Sequence, residues 1–448
     1  WESFPDYLDF LDGRRFDTDV CGYLPHAALR VYVMGERGAN REAATPEDRA
    51  QMVRLLRQAM AAGAMGFSTA RTFFHRSSDG RTTPTHEAAE EELQALAQVL
   101  KDCGHGAIEL ITDFDDPQAS FGLMRRVVER CGRPLSFSLI EGPGLGPLSL
   151  HWRELLAWVG EANAQGLPMR AQVLGRPLGM LLGHELSLNP FYTTPSYTAL
   201  APLPFEARMA ALRDPALRER ILAEPVDADP TAVLGRMVRR FDDMYLLTDP
   251  PDYEPAPDRS IAALARRRGT TPEAVAYDAL LERDGHQLLY LAAANYVEGS
   301  LDHCLEMMRH PHTVLGLGDG GAHCGTICDG SYPTFMLTHW ARDRRGDRLP
   351  LPWIIAALSR RPAEALGLGD RGFVAPGYQA DLNVLDLDQL ALHAPEVRHD
   401  LPAGGRRLVQ RARGYVATIL RGEVVRRHDQ SSDALPGRLV RGAQTVVP

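Results

Sequence analysis

A lone carboxylate follows an apolar run inside a glycine-rich segment. Residues 313–318 read Thr-Val-Leu-Gly-Leu-Gly, and Asp319 comes next, with two more glycines before His323. Glycine lets the backbone approach a ligand closely, and an Asp in such a turn can bind a metal ion and take a proton from water. We therefore expect Asp319 to be a catalytic residue and a metal ligand. A turn-capping role for Asp319 is the alternative.

Other polar side chains stand at or just after further predicted strands. They are His26, 68–71, Asp113, Glu141, 172–176, Asn295, Tyr296 and His323. Chemistry in a barrel of parallel strands collects at the carboxyl ends of the strands. We expect His323 to be a hydrogen-bond donor facing a substrate, because its spacing to Cys324 and Cys328 is not a strong zinc-binding pattern. For His26, a packed structural histidine is an equal alternative.

Helical and apolar segments alternate along the chain, which predicts the elements that position these residues. Helices are predicted at 46–62, 86–102, 117–131, 151–165, 270–283 and 299–309, and each is followed by an apolar strand, at 64–70, 107–113, 135–141, 168–175, 287–293 and 313–318. Residues 17–34 also have a β-type apolar pattern. This alternation predicts an α/β fold with a parallel sheet, and the number of units favours a closed (β/α)8 TIM-like barrel.

The pattern changes at two places and suggests how the chain is divided. Residues 184–262 interrupt the alternation with proline-rich turns, and we expect this insertion to form a lid over the catalytic face, with a surface excursion as the alternative. After residue 370 the chain has short β-like runs separated by turns. We therefore predict a barrel domain over 1–370 and a small C-terminal β domain over 371–448.

Composition excludes several classes of protein. The chain has 448 residues, 44% hydrophobic and 24% charged, with a net charge of −9. The acidic balance argues against nucleic acid as the main partner, and no apolar run is long enough to cross a bilayer. The six cysteines are scattered, which predicts free thiols and a cytoplasmic location. Lys101 is the one lysine, so it is the one candidate for lysine-dependent chemistry.

Four stretches carry a resemblance to a known family: CGYLPHAALRVYVMG, TPEDRAQMVRLLRQAMAAGAMGFSTAR, TVLGLGDGGAHCGT and SRRPAEALGLGDRGFVAPGYQADLNVLDLDQL. They resemble N-acyl-D-amino-acid deacylases (D-aminoacylases) of the amidohydrolase superfamily, in order over nearly the whole chain. The resemblance implies a distorted barrel whose last helix leads into a β-sandwich. It also implies hydrolysis of a linear amide by a water bound to zinc, with one or two zinc ions.

The resemblance assigns roles to single positions. Asp319 matches the catalytic carboxylate of the family, and His26 matches a histidine near its site. The middle strands lack the family's metal-binding histidines, so Asp113 and Glu141 are the candidate replacement metal ligands. Arg71 and Arg176 are candidate substrate-binding residues, the latter for a substrate carboxylate.

The family also has a His-x-His pair and a metal-bridging Cys that have no counterpart here. Both would lie before Trp1, and we expect an upstream segment to carry them, because the chain opens inside an amphipathic stretch.

Three functions remain open on the sequence. The first is a metal-dependent hydrolase of an N-acyl amino acid, a small-molecule substrate; the second is a cyclic-amide hydrolase similar to dihydropyrimidinases and hydantoinases. That second group uses a carboxylated lysine, which Lys101 is badly placed to supply at a helix end. The third is a catalytically inactive barrel that binds a ligand. A homo-oligomer is compatible with each of them.

Overall fold

The computed structural model describes residues 1–77, 79–142, 148–225, 233–316, 318 and 323–444. Its strands are β1 Leu24–Pro25, β2 Gly66–Arg71, β3 Ala107–Thr112, β4 Leu135–Ser138, β5 Ile140–Glu141, β6 Leu148–Ser149, β7 Met169–Val173, β8 Leu178–Leu182, β9 Met244–Leu246, β10 Leu289–Ala294, β11 Thr313–Leu315, β12 Leu382–Leu385, β13 Ala391–Leu392, β14 Glu396–Leu401, β15 Gly405–Val409, β16 Ala412–Arg413, β17 Tyr415–Leu420, β18 Glu423–Arg427 and β19 Gln430–Ser431.

The α-helices lie between these strands. They are α1 Phe4–Asp12, α2 His26–Met34, α3 Glu36–Ala39, α4 Pro46–Ala62, α5 Glu90–Cys103, α6 Pro117–Cys131, α7 Trp152–Ala164, α8 Pro195–Thr198, α9 Phe205–Leu212, α10 Pro215–Ala223, α11 Val233–Met237, α12 Ile261–Arg268, α13 Pro272–Leu280, α14 Asp302–Arg309, α15 Tyr332–Phe335, α16 Leu351–Leu358 and α17 Arg360–Leu366. A π-helix spans Met336–Asp343. Within the described ranges, no helix is both long and apolar enough to span a bilayer.

The central element is a parallel sheet in the order β1-β2-β3-β4-β7-β11. It packs against helices that include α4, α5, α6 and α7 through one large apolar core. Small antiparallel sheets follow at the C-terminal end of the chain, with β12, β17, β18 and β19 forming the largest. The fold is therefore the predicted TIM-like barrel followed by a β region, and the described residues supply six strands of the parallel sheet.

Helix α4 shows how the sequence sets the boundaries of an element. The Thr45 hydroxyl accepts from the Asp48 N–H, and the Asp48 carboxylate accepts from the Thr45 N–H, forming the capping box that stabilises a helix start. Gly63 ends the helix with a φ of +104°, a value that glycine adopts without strain. The predicted limits 46–62 are confirmed, as are the limits 117–131 of α6.

One predicted strand is mostly a helix, and another lies outside the parallel sheet. In the run 17–34, only Leu24–Pro25 is a strand, and His26–Met34 is helix α2, whose buried residues are spaced as on one helix face. The strand predicted at 287–293 exists as β10, but it lies antiparallel between β8 and β9, outside the parallel sheet. All six residues of β10 are buried, so its apolar run looks like a barrel strand.

The insertion predicted at 184–262 builds a second apolar core. Residues of its helices α8 to α11 share this core with α12, α13 and strands β8, β9 and β10. The lid role of this insertion stays a prediction. The six cysteines are free thiols, as expected.

Gly66 offers a test of the packing between β2 and β3. It has a φ of +143°, and a Cβ there would lie 1.8 Å from the carbonyl oxygen of Ala107. Gly104 also has a positive φ, of +71°, but a Cβ there meets nothing within 4 Å. We expect Gly104→Ala to cost about 1–2 kcal/mol of unfolding free energy and Gly66→Ala to cost more than about 3 kcal/mol. Equal losses in chemical denaturation would contradict this packing.

Candidate functional site

The carboxyl ends of the parallel strands define the candidate site. Because every strand of the sheet runs in the same direction, the residues that follow them lie along one edge. Side chains on a strand alternate between its two faces. One face of this sheet packs on the helices, and the other, the inner face, points away from them. This alternation determines whether a side chain on a strand lies against the helices or on the inner face.

His26 follows β1 and is buried against the helices, with 1% of its surface exposed. Its Nε2 donates to the Glu92 carboxylate at 2.6 Å, so its Nδ1 accepts from the Thr69 hydroxyl at 3.0 Å. Burial lowers the pKa of His26. Both ring nitrogens are occupied, so the predicted substrate contact of His26 is replaced by the structural alternative.

Glu92 holds this cluster together from α5. It accepts hydrogen bonds from His26 and from the guanidinium of Arg30, which is also buried. Burial by itself would raise the pKa of Glu92, but the hydrogen bonds from His26 and Arg30 bring it below its ordinary value. A charged carboxylate between two basic groups therefore joins α2 to α5.

Arg71 is the last residue of β2, Asp113 directly follows β3, and the two line one cavity together. Arg71 donates to the carbonyl oxygen of Ala88, and one oxygen of Asp113 accepts from the Phe73 N–H at 2.9 Å. Leu123, on α6, also lines this cavity, so the cavity lies on the helix side of the sheet.

Glu141, at the end of β5, is buried and paired with a histidine that the sequence did not single out. Nδ1 of His303, on α14, donates to one oxygen of Glu141. The Glu141 N–H donates to the side-chain oxygen of Asn295 at 2.8 Å, and the Asn295 N–H donates to the Glu141 carbonyl at 2.9 Å. Glu141 is thus fixed where the ends of β5 and β10 meet.

Arg176 follows β7 and forms a buried ion pair with Asp329. The ring of Tyr253 covers its guanidinium, with 4.1 Å from the guanidinium carbon to the ring centre. Burial alone would lower the pKa of Arg176, but the negative charge of Asp329 raises it above its ordinary value. The arginine predicted to bind a substrate carboxylate therefore already binds a carboxylate of the protein.

His323 is exposed and begins a tight turn with a φ of +49°. Its carbonyl oxygen accepts from the N–H groups of Thr326 and Ile327. The predicted catalytic residue, Asp319, lies outside the described residues. Gly318 directly precedes it, and a Cβ on Gly318 would lie 2.8 Å from the ring of Tyr332.

The inner face carries a polar row of which the sequence analysis singled out only Gln172: Glu109, Ser136 and Gln172. The Gln172 amide donates to Glu109 at 2.7 Å and to the Ser136 hydroxyl at 2.9 Å. A Cβ on Gly316 would lie 3.2 Å from the side-chain oxygen of Gln172, so β11 ends beside this row. The sequence signal for this row was Glu109, a charged residue in the middle of the apolar strand β3.

The described residues do not fit the predicted metal site. Within them, no group of three or more His, Cys, Asp or Glu side chains is arranged to hold a metal ion. Asp113 and Glu141, the candidate replacement ligands, are bonded to different parts of the chain. Their role as metal ligands stays a prediction.

The sequence model of the amidohydrolase family matches residues 1–426. The chain belongs to the amidohydrolase family. This membership makes the protein a hydrolase that acts on carbon–nitrogen bonds.

Solved structures similar to this amidohydrolase have the same fold. A D-aminoacylase mutant in complex with copper chloride is 18% identical, with a TM-score of 0.59 over 98% of this chain and 75% of its own. An N-acyl-D-glutamate deacylase from Bordetella bronchiseptica, complexed with zinc and a phosphonate inhibitor, is 20% identical, with a TM-score of 0.58 over 98% and 75%. A further D-aminoacylase gives a TM-score of 0.58 at 18% identity over 99% and 75%.

The cluster around Glu92 gives a stability test. Glu92→Gln leaves the buried charge of Arg30 without a carboxylate, which costs about 3–5 kcal/mol when a buried ion pair loses one partner. Glu90, on the same helix, pairs with Arg126 at the surface, so Glu90→Gln should cost less than about 1 kcal/mol. Chemical denaturation of both variants measures the difference, and similar losses would refute the structural role of Glu92.

Proposed function

We propose that this amidohydrolase cleaves linear amides of the N-acyl amino acid type, as an N-acyl-D-amino-acid deacylase. The observation that carries the proposal is the position of β11, which leads to Asp319 and ends beside the inner polar row of Glu109, Ser136 and Gln172. The names of the similar solved structures, D-aminoacylase and N-acyl-D-glutamate deacylase, support the substrate class.

Asp319 is the proposed base of the reaction. Water attacks the acyl carbonyl carbon and gives a proton to Asp319, and the carbon–nitrogen bond then breaks. Asp319 passes that proton to the leaving amine, so that a carboxylic acid and a free amino acid are released. His323, exposed after the glycine-rich segment, is the proposed hydrogen-bond donor to the substrate.

Zinc belongs to the proposal through the family and through the zinc and copper complexes of similar structures. No step is assigned to it, because the described residues do not form a metal site.

The cyclic-amide alternative loses support. Lys101 is exposed in the last turn of α5, where its Nζ donates to the carbonyl oxygen of Arg130. A lysine in that position does not lie at the carboxyl edge of the sheet.

Asp319→Asn tests the proposed base. We expect kcat/KM for N-acetyl-D-amino acids to fall by about 10²–10⁴, because the amide does not accept the proton of the attacking water. Asp433→Asn, which changes an exposed carboxylate, is the control and should keep the parental rate. Equal rates for the Asp319→Asn variant and the parent would refute the role, and turnover of hydantoin alone would favour the cyclic-amide function.

Metal removal tests the zinc requirement. We expect a chelator to abolish hydrolysis and added zinc to restore it. Asp319→Asn should lower the zinc content measured by elemental analysis, whereas Asp113→Asn should not, because Asp113 bonds to the backbone of Phe73. Full activity of the metal-free protein would show that the reaction does not need zinc.

A further inference from the structure

A cavity of about 250 Å³ lies between the carboxyl ends of β2 and β3 and helix α6. Its volume is below the range of about 300–1,000 Å³ that is common for drug-sized ligands, so it suits a smaller molecule. Its lining includes the polar or charged side chains of Arg71, His86, Asp113 and Asp115 and the apolar side chains of Leu123 and Met124.

Arg71 brings a positive charge with unused donors to this cavity. Its one hydrogen bond within the described part of the chain goes to the carbonyl oxygen of Ala88. Three carboxylates act on its charge. Glu92 pairs with Arg30 and Glu90 with Arg126, and within the described residues Glu87 forms no ion pair with Arg71. A guanidinium carries five N–H donors in a planar fork that matches a carboxylate. Arg71 is therefore free to bind a carboxylate ligand.

Asp113 brings an acceptor to the same cavity. One of its oxygens accepts from the Phe73 N–H, while the other is buried and has no partner among the described residues. Nδ1 of His86 is also buried without a partner there. A buried polar atom without a hydrogen bond costs free energy, so these two atoms favour a ligand that supplies hydrogen bonds.

We propose that this cavity binds a free α-amino acid with a small side chain. Arg71 takes the α-carboxylate, the unpaired oxygen of Asp113 takes the α-ammonium group, and the side chain contacts Leu123 and Met124. The site is separate from the inner face, and ligand binding there does not require hydrolysis. A test of this proposal is therefore independent of a test of the proposed function.

The charged side chains of the lining distinguish this ligand from others. Phosphate would match Arg71, but Asp113 and Asp115 would repel a dianion. An N-acyl amino acid has a carboxylate but an uncharged amide nitrogen, so it gains less from the negative charge of Asp113.

Calorimetric titration of the full chain tests the site with alanine, propionate, N-acetylalanine and inorganic phosphate. Alanine and propionate share a carboxylate, and only alanine has an ammonium group. We expect alanine to bind about tenfold more tightly than propionate or N-acetylalanine, because a hydrogen bond to a charged group contributes that much. Propionate binding as tightly as alanine, or phosphate binding more tightly, would overturn the proposal.

Two variants and a control test whether Arg71 and Asp113 bind the ligand. Asp113→Asn keeps an acceptor for the Phe73 N–H and should remove the preference for alanine over propionate. Arg71→Gln should abolish binding of both. Arg133→Gln is the matched control, because Arg133 also donates to a backbone carbonyl, that of Gly106, at the opposite end of β3. Circular dichroism checks that each variant is folded, and parental alanine affinity in folded Arg71→Gln would also refute the site.

Discussion

The alternation of side chains along the parallel strands governs the chemistry of this fold. In β3, Ile108, Leu110 and Thr112 are buried toward the helices, while Glu109 lies on the inner face and reaches Gln172. A shift of one residue would exchange these sets. The apolar core against the helices therefore fixes the register, and the register in turn decides which polar groups reach the inner face.

Local sequence carries enough physics to predict the helices and much of the sheet. A capping threonine and a first-turn proline mark the start of α4, and a glycine marks its end. Each acts on the helix turn next to it, so the limits of α4 follow from adjacent residues. The direction of a strand depends on partners far away in sequence. β10 pairs antiparallel with β8 and β9, which are more than forty residues away in the sequence. Its uniformly apolar sequence does not indicate whether the strand runs parallel or antiparallel to its neighbours.

The site residues illustrate the same limit. Position after a strand was enough to find Arg71, Asp113, Glu141 and Arg176 at the carboxyl edge, but not to find their partners. Asp329, which forms an ion pair with Arg176, is 153 residues away from it in the sequence. His303, which donates a hydrogen bond to Glu141, is 162 residues away from it. Those contacts depend on tertiary packing, which composition and spacing do not contain.

The same long-range contacts fix the described residues on both sides of the glycine-rich segment. Before it, Gly316 packs on Gln172. After it, the carbonyl of Thr326 accepts from the Leu181 N–H, and the buried pair of Arg176 and Asp329 joins the following residues to the end of β7. The arginine predicted to bind a substrate carboxylate instead joins Asp329 to the end of β7, and loss of either partner would leave the other charge buried and unpaired.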